Sequence, residues 1–128
     1  MGTVPFIEIA EHLELAGLIW QPEIGDEVSK RAQRASVSIL VDPQGMTPTE
    51  LRSTFLWLPT VEQIVLQFES RQAILFHAGL ELSNYSMLYK TVVQKRDEQI
   101  EQKGESLRIA MGLALRDLLL IDNQAAVN

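Results

Sequence analysis

The apolar positions between Gly104 and Asp122 recur at intervals of three and four residues, the longest such run in the chain, and that spacing predicts a helix. Leu107, Ala110, Met111, Ala114, Leu115, Leu118 and Ile121 fall on one broad face. Ile109, Leu113 and Leu120 form a narrower stripe roughly opposite, interrupted by Arg116. A helix with two apolar sides needs two covers. A sheet is expected on the broad face. The other stripe can be met either by the chain's own first helix or by a second subunit.

The same periodicity over Phe6, Ile9, Ala10, Leu13 and Ala16 predicts a first helix, with Pro5 in its opening turn and Gly17 as its stop. The stretch LIWQPEIGDEV reads as a loop with brief extended pieces, because Pro22 and Gly25 limit any ladder. Trp20 is its expected anchor. Alternation of Val37, Ile39 and Val41 predicts a strand from Ser36 to Val41, ended by Asp42, Pro43, Gln44 and Gly45. Thr47, Pro48, Thr49 and Glu50 spell a capping box with proline at N1, hence a short helix. Pro59 breaks that helix and is expected to open another, with Val61, Ile64, Val65 and Phe68 on its apolar face and Arg71 at its end. Phe55 to Leu58, between the two, is apolar enough to be a buried corner.

A hairpin is expected next. With Ser83 and Asn84 as a two-residue turn, Leu82 opposes Tyr85, Leu80 opposes Met87, Ala78 opposes Tyr89, Phe76 opposes Thr91 and Ile74 opposes Val93. The other face carries Glu81, His77 and Lys90 together with Gly79, Leu75, Leu88 and Val92. Glu98 to Gln102 either returns as a third strand with Ile100 inward, or belongs to a long helix from Val92; the polar gap from Gln94 to Gln99 favours the strand. The expected fold class is α+β: an antiparallel three- to four-stranded sheet centred on Ala73 to Gln102, with helices packed on one face. Residues 1–122 are read as one domain and 123–128 as a tail.

Composition narrows the function more than it identifies it. At 128 residues the chain suits one domain, and no apolar run is long enough for a membrane span. The opening residues carry Glu8, Glu11 and Glu14 rather than a basic leader, so a cytoplasmic location is expected. Without cysteine there is no thiolate chemistry or disulfide framework. A net charge of −6 opposes nucleic acid, and the one basic trio, Lys30, Arg31 and Arg34, reads as a solvated face.

No residues combine into a catalytic, cofactor or metal motif. Glu8 and His12 have half the spacing of a helical metal site, but further ligands cannot be identified. His77 near Lys90 has no carboxylate to orient it as a base. Asp26 with Glu27, and Asp97, Glu98 and Glu101, lack the alternation of a calcium loop and read as solvated turns.

The order of WLPTVEQIVLQFESR, a hairpin, and GESLRIAMGLALRDLL resembles small uncharacterised α+β proteins of cyanobacteria and phages, in which a three-stranded meander is flanked by helices. The resemblance spans about Leu56 to Leu120 and implies a fold layout, with no activity and no functional residue. The resulting expectation is a non-enzymatic cytoplasmic interaction or accessory domain, read as a homodimer, with neither nucleic acid nor membrane as partner. Its candidate interface is Ile109, Leu113, Leu120, Leu75, Leu88 and Val92. The alternative is a small-ligand module with an apolar pocket near Trp57, Tyr85 and Tyr89.

Overall fold

The computed structural model describes residues 6–33 and 36–127. Along the chain run α1 (Phe6–Leu15), β1 (Glu27–Lys30), β2 (Val37–Ile39), α2 (Pro48–Thr54), β3 (Phe55–Trp57), α3 (Val61–Ser70), β4 (Ile74–Ser83), β5 (Ser86–Lys95), β6 (Glu98–Gly104) and α4 (Leu107–Val127). Two antiparallel three-stranded sheets result, ordered β2-β1-β3 and β4-β5-β6. The fold is α+β, with helices packed on the larger sheet.

Helix α4 is the hub. Ala110, Met111, Ala114, Leu115 and Leu118 are buried, with Leu107 and Ile121 packed against the same cluster. That cluster joins Ile9 and Leu13 of α1, Ile64 and Phe68 of α3, Val93 of β5 and Ile100 of β6. Each fully buried leucine contributes about 1.5–3 kcal/mol before conformational entropy is charged against it. Helix α1 packs on a further side of α4, at Gly112, while Leu120 of the second apolar stripe stays open. Gly112 makes the close approach possible: a Cβ there would lie 3.1 Å from the Phe6 ring. Ser106 Oγ accepts from the Ile109 amide at 3.1 Å and caps the helix start. The stretch expected as a tail enters the helix as far as Val127, and Asn123 Nδ2 donates to the Ala16 carbonyl at 2.8 Å.

Arg108 fastens this hub to the smaller sheet. Its Nε and Nη2 donate to the carbonyls of Pro59 and Leu58, Nη2 pairs with Glu27 Oε1 at 3.0 Å, and its guanidinium lies 4.2 Å from the Phe6 ring centroid. Such a set needs the planar fork of arginine.

Several local readings change. The corner Phe55 to Leu58 supplies strand β3, which pairs with β1, a strand that starts at the end of the stretch read as irregular and runs on to Lys30. Both are too short for periodicity to reveal. Val37, Ile39 and Val41 are exposed and Leu40 is the buried residue, so the alternation there marked the outer side. Strand β2 pairs with β1 and does not extend the main sheet. Helix α2 has its capping box as expected: the Thr47 amide and hydroxyl bond Glu50, in that order of effect, and hold its carboxyl below the ordinary range. In α3, however, Thr60 is the N-cap, closed by a second capping box with Gln63, and Pro59 lies outside the helix. A hydroxyl that accepts from N3 outweighs the preference of proline for N1.

The meander exists, and Glu98–Gly104 is its third strand rather than part of a helix. Its turn sits one residue later than expected. Ser83 pairs with Ser86, so Asn84 and Tyr85 form the turn with φ of 51° and 66°. Positive φ at both central residues marks a type I′ turn, whose twist suits a hairpin. Moving the turn by one residue moves each pairing by two, so Leu82 opposes Met87, Leu80 opposes Tyr89 and Ala78 opposes Thr91 on the same faces. A register shift at Phe76 then puts Leu75, instead of Ile74, opposite Val93. Leu75 thereby joins the core and Ile74 is exposed.

Candidate interaction surface

Strands β4 and β5 are ten residues each, whereas β6 ends at Gly104 opposite Tyr89. The distal half of the hairpin is therefore a two-stranded arm. On the face that deeper in the sheet carries Val93 and Ile100 under the helices, the arm carries Leu80, Leu82 and Met87. These are 56%, 70% and 65% exposed, and Tyr85 at the turn is fully exposed. Phe76 and Ile74 extend the apolar, open character to the root of β4. Scattered exposed apolar residues are ordinary; a contiguous set on one element is not.

The opposite face is charged. Lys90 Nζ lies 3.0 Å from Glu81 Oε2 and 3.6 Å from Glu101 Oε1, and Lys103 Nζ lies 3.0 Å from Glu81 Oε1. The hydrogen bonds from Lys90 and then Lys103 hold the Glu81 carboxyl below its ordinary range. The bond to Glu81 holds Lys90 above its own, against the opposing effect of burial. This network ties β4 to β5 and β6, so the arm is braced on one face and bare on the other.

The two edges of the sheet also differ. Strand β6 reads Glu-Gln-Ile-Glu-Gln-Lys-Gly, a charged and polar edge. Strand β4 reads Ile-Leu-Phe-His-Ala-Gly-Leu-Glu-Leu-Ser, and among the described residues no strand pairs with its outer side. Charge protects an edge from adding strands; a long apolar edge invites them.

A half-open cleft of about 350 Å³ lies elsewhere, lined by Leu18, Ile19, Trp20, Arg52, Phe55 and Trp57 among others. Its back wall is stiff. Asp26, 6% exposed, accepts from Trp20 Nε1 at 2.8 Å, the Glu23 amide at 3.0 Å and Gln63 Nε2 at 2.9 Å, while Arg52 Nε donates to the Trp20 carbonyl at 2.7 Å. Trp57 Nε1 is buried without a hydrogen-bond partner. Asp26, read from sequence as a solvated turn, is thus an interior organiser; the indole six residues before it was the available signal.

The expected interface residues are dispersed. Ile109 and Val92 are buried within the chain, Leu113 and Leu75 are half-buried against the core, and Leu88 is half-buried beside Glu81. Leu120 remains open at 45% and shares a shallow groove with His12, Leu15, Ala16 and Arg116 between α1 and α4. Of the expected pocket, Trp57 lines the cleft, Tyr89 is half-buried on the arm and Tyr85 stands at its tip, so the three do not share one site. Glu8 and His12 are both exposed on α1. Among the described residues no group of three His, Cys, Asp or Glu side chains could hold a metal ion.

Arg31 is committed to Glu14, through Nη1 at 3.1 Å and Nη2 at 2.5 Å, and to the Arg52 carbonyl. Arg34, the last of the basic trio, lies outside the described residues. No helix among the described residues is long and apolar enough to cross a membrane. No family model, curated protein or solved structure matches the chain.

Proposed function

We propose that this chain is a non-enzymatic protein-interaction domain that presents the β4–β5 arm to a protein partner. The observation that carries the reading is the exposure of Leu80, Leu82 and Met87 on one face of a hairpin whose other face is locked by ion pairs. An apolar surface on a backbone already fixed by pairing binds at less ordering cost than a segment that must fold first.

Site-specific photo-crosslinking tests it. A benzoylphenylalanine at Leu82 should give discrete protein adducts in cells, whereas the same probe at Ile24, equally exposed at 71% on a loop, should not. Equal labelling at both positions, or none at Leu82, would overturn the reading.

A second reading rests on the cleft. Its apolar wall and the unpartnered Trp57 Nε1 suit a small apolar ligand carrying one hydrogen-bond acceptor. A metabolite panel should then raise the melting temperature of the wild type and not that of Phe55→Ala. A panel without any shift would count against it.

A further inference from the structure

We infer that the partner of the arm is a second copy of this chain, docked by antiparallel pairing of β4 with β4 about a two-fold axis through Gly79. The inference rests on the interaction-domain reading above and specifies the partner and the register. Its starting point is the hydrogen-bond alternation. Ser83 and Ser86 close a two-residue turn and so form a hydrogen-bonded pair, which places Glu81, Gly79 and His77 in the bonded positions toward β5. The amides and carbonyls of Ala78, Leu80 and Leu82 consequently point off the sheet. They lie on the outer side of β4, which no strand among the described residues occupies.

Only registers that set outward-facing residues against each other can use those groups. A two-fold axis at Gly79 meets this condition, pairing Ala78 with Leu80 of the second copy and Leu80 with its Ala78. It is also the register that sorts side chains by chemistry. On the apolar face Ala78 opposes Leu80 of the other copy, with Leu82 beside them, joining the bare faces of two arms. On the charged face His77 opposes Glu81 of the other copy, a donor set against a carboxylate. An axis at Ala78 would instead put Glu81 against Leu75, and one at Leu80 would put His77 against Ser83, so the charged pair is lost in either.

Gly79 suits the axis itself. It becomes a pair without mutual hydrogen bonds, the closest approach in an antiparallel ladder, at about 4.5 Å between Cα atoms. A Cβ at this position meets nothing nearer than the His77 imidazole at 3.9 Å, so the site is sterically open to substitution.

That openness supplies the test, because the chain has no cysteine of its own. Light scattering on the wild type at about 0.1 mM, a concentration that populates even a micromolar dimer, should return twice the chain mass of 14.4 kDa. Gly79→Cys should oxidise to a disulfide-linked dimer, since the expected separation lies within disulfide reach. Tyr85→Cys at the fully exposed tip should remain mostly uncoupled under the same oxidant. Leu80→Pro removes an outward amide and no bond to β5, and should return the protein to monomer with unchanged circular dichroism. A monomeric wild type, or a Gly79→Cys variant that couples no faster than Tyr85→Cys, overturns the inference. Either result leaves the crosslinking test at Leu82 to decide the interaction-domain reading by itself.

Discussion

Gly112 lies so close beneath Ile9 that a Cβ built on it would come within 2.7 Å of Ile9 Cγ2. The contact explains why the hub helix tolerates a residue with poor helical propensity in its second turn: only a bare backbone lets α1 settle on α4. Gly112→Val should destabilise the protein by about 1–3 kcal/mol, the usual range for overpacking. The expected readout is a lower urea midpoint at unchanged slope. Adding Ile9→Ala to that variant should recover part of the loss, since the two residues share one contact.

Arg108 links α4 to the Pro59 and Leu58 carbonyls, to Glu27 and to the Phe6 ring. Lysine keeps the charge but cannot hold two carbonyls and a carboxylate from one planar group. Arg108→Lys should therefore cost about 1.5–3 kcal/mol, comparable to losing a charge-assisted hydrogen bond. Denaturant titration followed by tryptophan fluorescence measures it.

Asp26 gathers three donors around a buried carboxylate. Asp26→Ala strands the Trp20 indole N–H in the interior, and an unsatisfied buried donor costs about 1–3 kcal/mol. The variant should melt earlier and show a red-shifted tryptophan emission as water reaches the cleft wall. Unchanged melting and emission would mean that the carboxylate does not organise this region.

The ion pairs of the arm predict a pH dependence of known sign. The folded Glu81 carboxyl is lowered, so its contribution is complete above the unfolded carboxylate pKa and is lost as pH falls through the lower folded value. Lys90 is raised, so its contribution is complete below the unfolded ammonium pKa and is lost as pH rises through the higher folded value. Glu81→Gln should thus be less stable than wild type at neutral pH in low salt. The difference should shrink as acid protonates Glu81 in the wild type, and also in high salt, because the groups are exposed and screened. Melting curves of both proteins across pH and salt test the sign.

Where side-chain periodicity spans several turns or rungs, it located the structure. The helices at Phe6 and Leu107, the meander and its apolar and charged faces were legible because three or more repeats agree. Strands β1 and β3 were not, since pairs of three residues carry less than two periods each. The turn was displaced because Asn84 can occupy either central position of a two-residue loop. Placing the bulkier Tyr85 at positive φ is against local preference, and pairing along the whole hairpin overrides it. Asp26 was missed for a different reason: its burial is created by Trp20 and Gln63 together, and Gln63 is remote in sequence. The arm itself was half legible. Its apolar residues were paired across the expected hairpin, and what the sequence did not reveal is that β6 stops short and leaves them uncovered.

The charged outer rim of β6 sets how far sheet growth can run. A strand that joins the β4 side extends the sheet in one direction only, because Glu98, Glu101 and Lys103 discourage the next addition at the far margin. Two copies joined at β4 would present that rim at both ends of a six-stranded sheet. Assembly would then terminate at two and not propagate into a fibre.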